Sequence, residues 1–543
     1  MNKSKSNDSI DEKTTLPKKN LQKKEQRLSM LLFFIIIFAV IPLYLISGYT
    51  HPCVDDYSYG RHTAQVWQET GSLEQVFLKA IEKTRDSYQN WQGTFSSIFL
   101  MRLQPAIFGE QYYFLTTIIL LTVFIVCSIL FYMVFFSKLF HASFFQGLII
   151  SILLSLGAVE FTYVISDSFY WYNGGITYTF FYSMEAFLFA LLIFFYCAKK
   201  RWIKIILGIV SIILAFFLCG GNYVTALITV EILFFACILL FLCDWERKKK
   251  NNLWKKSNNK DYLIDKLFFI MIGFAGLAGF FIAILAPGNA LRQESVGKAS
   301  NPFLAIGLSF IYGIYSIANC WKLPVLVLFL CCIPCFALIS KKSKFSFRYP
   351  AIVTLLSYCL YSSQITPVIY AQGLKIPYRI MNIIYFSCFV MTGINLFYWV
   401  GYVIKKQLWK AIIEKALVFY QKYFLHYYLF CFLLFCFTAI GNISIEAEVD
   451  MDGSTQVSVT RMPASVSACF YLFNGEAKQY DKEAWERYFI YSDPSREHIV
   501  VKEFSVKPEI IFHSDITEDP KNWKNSCVKR YFGKKSVKLE KSK

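Results

Sequence analysis

The sequence predicts an all-α polytopic membrane protein with about 11 transmembrane helices, and three observations carry that prediction. First, 56% of the 543 residues are hydrophobic, and the mean hydropathy is +0.42. Second, apolar runs of roughly 18–25 residues recur along most of the chain, each long enough to cross a hydrocarbon core about 30 Å thick. Third, Lys and Arg collect in alternate connections: before Leu28, at Lys199, Lys200 and Arg201, over 247–266, over 341–348, and at Lys405 and Lys406. Cytoplasmic loops carry such an excess. Topology therefore accounts for the net charge of +19, and nucleic acid is not an expected partner. A β-barrel is excluded, because its strands would read as short alternating segments.

Residues 1–28 are polar and Lys-rich, which reads as a disordered cytoplasmic tail. The first apolar run, 30–49, is too long for a signal peptide and lacks a small-residue cleavage site, so it is read as a retained span. A large outer loop, 50–111, follows, with two helical stretches at 63–81 and 84–103. In the second, Tyr88, Trp91, Phe95, Ile98, Phe99 and Arg102 are spaced as one aromatic face lying along the membrane. Spans are expected at 112–136, 145–165, 176–197, 203–218, 224–243 and 267–286, with an outer loop at 166–175. The run 303–318 is apolar enough to cross, but no basic connection follows it, and 324–339 is the segment that delivers Lys341 to the inside. It is therefore expected as an outer re-entrant or surface helix. Spans at 350–364, 383–403 and 424–440 complete a transmembrane domain over 29–441, with an inner amphipathic segment at 405–423. From 442 to 543 both signs of charge appear, and strand-like pieces occur at 455–461, 499–504 and 509–512. That composition predicts a small extracytoplasmic module of mixed α/β character. Within it Cys469 and Cys527 are candidates to pair. Most of the 16 cysteines lie in apolar runs, where Cys behaves as a small hydrophobe.

The chemistry-bearing residues gather on the predicted outer face. Asp55 and Asp56 directly follow the first span, held at a fixed depth by it and flanked by Tyr57 and Tyr59. One can cap the following helix. A partly desolvated carboxylate also has the raised proton affinity of a general base. Were the segment extended, the two side chains would point to opposite sides. One would then serve as base while the other bound a divalent cation, capped a helix or oriented Arg61. Asp55, nearer the membrane end, is the preferred base. Arg379, Lys375, Arg292 and Tyr378 are candidates to hold a phosphate, since Arg binds phosphate through two parallel hydrogen bonds. Trp171, Tyr172, Asn173, Asn222 and His62 are candidates for sugar or acceptor binding. Their Gly-rich neighbours also fit ordinary turn and capping roles. Glu160, Glu185 and Glu231 fall inside expected spans, where an acid is a functional candidate by default.

The ordered set of motifs resembles the GT-C superfamily of membrane glycosyltransferases, and more closely an uncharacterised bacterial family within that group. The residues concerned are Asp55-Asp56-Tyr57-Ser58-Tyr59, Trp171 to Gly175, Ala286-Pro287-Gly288-Asn289, Pro377-Tyr378-Arg379 and a tail running from Asp519 through Trp523, Asn525 and Cys527 to Tyr531-Phe532-Gly533. The resemblance implies an inverting transferase that takes a sugar from a polyprenyl phosphate at the outer face of the plasma membrane, with an acid of the first loop as base. The acceptor would be a cell-envelope glycan, teichoic acid, lipid or protein. A lipid-linked glycan transporter and a non-catalytic envelope assembly protein are the competing expectations.

Overall fold

The computed structural model describes residues 18–250, 259–297, 299–449, 455–460 and 462–540. The tail before residue 18 and part of the basic 247–266 connection lie outside these. The remainder of the expected tail is not disordered: helix α1 begins at Lys18 and runs to Ile46. Its first turns are held in place, because Gln146 donates to Glu25 (2.8 Å) and Lys24 donates to the Gln421 carbonyl (3.0 Å).

The segment after α1 folds as α2 (Asp55–Thr70), α3 (Leu73–Asn90) and α4 (Phe95–Met101). The breaks differ from the expected 63–81 and 84–103 stretches. Gly71 in the left-handed region (φ +61°) and the Ser72 N-cap end one helix and start the next. The aromatic face expected over 88–102 is split between α3 and α4, and Ile98 is fully buried.

The bundle continues through α5 (Leu115–Val134), α6 (Phe144–Glu160), the short α7 (Tyr172–Thr177), α8 (Thr179–Cys197), α9 (Arg201–Cys219), α10 (Tyr223–Lys250), α11 (Asn259–Ile284), the short α12 (Gly288–Val296) and α13 (Pro302–Cys320). Then come α14 (Leu323–Lys342), α15 (Pro350–Ser363), α16 (Thr366–Gln372), α17 (Tyr378–Lys405), α18 (Lys410–Lys422) and α19 (Phe424–Gly441). Among the described residues, eleven helices are long and apolar enough to cross a membrane. That set includes Pro302–Cys320 and leaves out the shorter Phe144–Glu160.

Contacts along α17 settle how α13 runs. Tyr312 meets Met381 and Trp321 meets Thr392; on α14, Phe329 meets Phe389 and Phe336 meets Phe397, and Ser343 just beyond it accepts from Lys405. Residue numbers rise together in every pair, so α13 and α14 both run alongside α17 in its own direction. The chain therefore does not double back between the two helices. The side on which α14 ends is unchanged by α13, as the charge pattern requires, and α13 packs on α15 and α17 through small residues such as Ala305, Ser309 and Gly313, while Phe303, Ile311 and Ile314 on its other side are exposed.

The helix ends fall into two sets. At one end lie Lys341, Lys405 and the start of α1; at the other lie Asp55, the ends of α6, α9 and α11, and the starts of α10 and α17.

After α19 come a hairpin, β1 (Ser444–Val449) with β2 (Thr455–Thr460), then α20 (Ala464–Phe473), α21 (Glu476–Ser492), β3 (His498–Lys502), α22 (Trp523–Tyr531) and β4 (Ser536–Glu540), which pairs parallel to β3. Residues 509–511 form a turn where a strand was expected. Cys469 and Cys527 are both free: Cys469 lies near Glu160, while Cys527 lies against Ser58. The segment is not set apart from the helical bundle. Helix α20 packs on α1 and α22 on α2, and Tyr57 joins the apolar cluster of Ile499, Val501, Val528 and Val537.

Candidate functional site

The site begins at the first turn of α2. Two acids there complement the partial positive charge of a helix N-terminus. Because the pair is helical, the two side chains diverge by about 100° instead of pointing to opposite faces of an extended segment. Val54, just ahead of them, is buried with φ +35°, a strained setting for a β-branched residue.

The two acids have different surroundings. Asp56 is 1% exposed and held by three donors: the Tyr113 hydroxyl (2.6 Å), the Cys53 amide (3.1 Å) and the Asn173 amide (3.3 Å). Burial outweighs those donors and pushes its carboxyl up to about 7. Asp55 is only partly buried. Burial raises its proton affinity too, opposed first by Arg379 and then by His513, Arg292 and Lys524.

Those cations arrive on four different parts of the chain. Pro377 precedes α17 and sets Arg379 in its first turn, with the guanidinium 5.6 Å from the Trp171 ring centre and 5.9 Å from that of Tyr178. Arg292, on α12, lies 5.7 Å over Trp91. Lys524 opens α22 and donates to Ser514 (2.7 Å). His513 stacks on Trp171 at 3.8 Å and 9°, and its Nδ1 bonds Asp167 Oδ1 at 2.7 Å. Three buried polar atoms beside these groups have no hydrogen-bond partner among the described residues: Trp171 Nε1 and both side-chain polar atoms of Asn173. A buried polar group without a partner is costly, which makes such a group a place for a ligand or water to complete. A cluster so rich in positive charge around one accessible carboxylate is suited to an anion and a proton acceptor together.

The other expected residues are placed as follows. The 166–175 outer loop is instead folded into helical turns, and Gly174 and Gly175 let Trp171 and Leu120 approach where a Cβ would collide. Trp171 is 6% exposed with His513 on its face, so it is not an open platform for a sugar. The Tyr172 hydroxyl is used on the Leu100 carbonyl (3.0 Å). Asn222 caps α10, accepting from Val224 and Thr225 and donating to the Thr177 carbonyl. His62 lies two turns from Asp55 among Arg61, Lys83 and Arg102; burial and those charges lower its proton affinity. Lys375 and Tyr378 are exposed beside Arg379. Glu160 accepts from the amide and hydroxyl of Ser465, fastening α20 to α6. Glu185 bonds Thr229 and lines a cavity of about 180 Å³ between α8, α10, α15 and α17, while Glu231 bonds Ser363. Among the described residues, no three His, Cys, Asp or Glu side chains group as a metal ion requires.

Sequence reasoning missed His513 altogether and placed Lys524 only inside a tail motif. Both lie more than 450 residues from Asp55, and no local spacing marks either.

A second junction lies close by. His51 donates or accepts at both ring nitrogens, to Glu110 and to Asp481, each at 2.9 Å. Burial disfavours the charged ring, but the two carboxylates overcome it and raise its proton affinity. Trp485 and Tyr480 pack edge-on against it.

Neither protein-family models nor curated proteins give a match to this chain.

Proposed function

We propose that this chain is an inverting glycosyltransferase that moves a sugar from a polyprenyl phosphate to a hydroxyl of a cell-envelope acceptor. The observation that carries the reading is Asp55, an accessible carboxylate ringed by Arg379, Arg292, Lys524 and His513 at one end of the bundle. Asp55 takes the acceptor proton. Arg379 and its neighbours hold the phosphate as the bond to the sugar breaks. Asp56, buried and fully bonded, fixes the turn that presents Asp55. The basic connections lie at the opposite end, which supports an outward-facing site in the plasma membrane, with the N-terminus cytoplasmic and the segment after α19 extracytoplasmic. On that reading 442–543 is a part of the site as well as a module.

The test is mass analysis of envelope glycans from cells with the chain, without it, and with Asp55→Asn. Loss of one sugar in the last two supports the assignment; full transfer by Asp55→Asn overturns it. The transporter reading has its own observation, the cavity lined by Glu185 within the bundle.

A further inference from the structure

We propose that His513 contacts the departing phosphate through its Nε2, with Asp167 holding the ring, so that the C-terminal segment supplies a catalytic residue. The inference rests on the transferase reading and extends it to a residue that no sequence motif marks.

The ring is fixed in two ways, by its stack on Trp171 at 3.8 Å and by the 2.7 Å bond from Nδ1 to Asp167. Nε2 has no partner among the described residues. The His513 side chain is 21% exposed while Asp167 behind it is 7% exposed, so the anchored side is closed and the rest of the ring is accessible. An imidazole serving only to fill a core would be covered. The groups facing it are Asp167 from the segment before α7, Arg379 of α17 over the same indole, and Asp55 of α2. Arg292 of α12 and Lys524 of α22 act on that same Asp55. Three permanent cations surround one free acid, and Asp167 is already paired. The arrangement therefore favours an anion beside His513.

The chemistry balances within the proposed reaction. The acceptor oxygen bonds the sugar carbon, and the bond from that carbon to the lipid phosphate breaks. The acceptor proton passes to Asp55. The electron pair stays on the phosphate, which gains a second negative charge. With Nδ1–H directed at Asp167, the imidazolium form carries Nε2–H and donates it to that phosphate oxygen. A hydrogen bond of this charged kind is stronger than a neutral one.

The experiment uses the full chain in lipid nanodiscs with undecaprenyl monophosphate, the reaction's lipid product, as probe. Wild type should bind it. His513→Asn keeps an amide to meet Asp167 but has nothing at Nε2. It should lose about 10- to 100-fold in affinity, the equivalent of about 1.5–3 kcal/mol for a hydrogen bond to a charged group. His513→Phe keeps the stack on Trp171 and should lose affinity equally; wild-type affinity in that variant would mean that packing alone matters and would overturn the inference. So would unchanged affinity in His513→Asn. Asp55→Asn should bind at least as well as wild type. Should wild type fail to bind the probe, the donor class falls and the inference with it, which separates the two failures.

Discussion

Two junctions tie the segment after α1 to the C-terminal segment, and they are finished differently. At His51 both ring nitrogens are engaged by buried or half-buried carboxylates and both flanks are packed by aromatic rings. At Asp55 positive charge exceeds negative, and among the described residues Trp171 Nε1 and the Asn173 side chain lack partners and one histidine nitrogen is free. A completed network makes the chain rigid. An incomplete one leaves polar groups that a ligand can finish. The two acids of the α2 turn repeat the contrast on a smaller scale: Asp56 is saturated and Asp55 is not.

The contrast predicts that function and stability separate by residue. The largest effect is on turnover. Asp55→Asn should reduce sugar transfer by about 10²- to 10⁴-fold, the usual contribution of a general base, while leaving the thermal midpoint nearly unchanged. A strongly lowered midpoint would put Asp55 in the structural class and break the contrast.

Next comes His51→Ala, which should act in the opposite way. It leaves Glu110 and Asp481 facing each other without a cation and should cost about 3–5 kcal/mol, as when one partner of a buried ion pair is removed. Thermal unfolding and faster proteolysis beyond Gly441 would report it. The pH dependence has a definite sign. The folded-state proton affinity of His51 lies above the ordinary 6.5, so its contribution is fully present below 6.5 and is lost as pH rises through the higher folded value. Protease sensitivity of the C-terminal segment should therefore increase on alkalinisation, and a sensitivity that instead increases on acidification would show that the clamp is not an imidazolium.

Asp56→Ala should come third, at about 2–3 kcal/mol, because it leaves Tyr113 and two amides buried without their acceptor. Its titration runs against folding. The folded group takes up a proton near 7 and the unfolded one near 3.8, so stability falls as pH rises across that interval. Asp56→Asn should remove that slope, as read from midpoints measured across the range.

How much of this could be read from the sequence follows from what is local. The apolar runs and alternating basic connections are local, and they gave the bundle and the sidedness of α14. The course of α13 depends on which helix it packs against, and Tyr312 or Trp321 carries no sign of Met381 or Thr392. The Asp55 turn was found because two acids beside a long apolar run are unusual. Arg379 was found because Pro-Tyr-Arg at a helix start is a readable unit. Asn222 and Tyr172 were singled out on the same grounds, yet their polar atoms are spent on backbone. His513 and its Asp167 partner are separated by 346 residues, and only folding brings that pair to Trp171.

The smallest predicted effect tests the contrast from inside the bundle. Glu185 and Glu231 are the acids that a transporter would use, and each has a single hydroxyl partner shown, Thr229 and Ser363 respectively. A Gln amide can accept the same hydrogen bond, so Glu185→Gln should cost about 1 kcal/mol or less and leave sugar addition unchanged. A transporter gives the reverse order. An ionisable group within a span would then be indispensable, and Glu185→Gln would stop glycan export while Asp55→Asn did not. Measuring both variants in one strain, with cell-surface glycan and envelope sugar content read together, places the working carboxylate at the end of the bundle or in its middle.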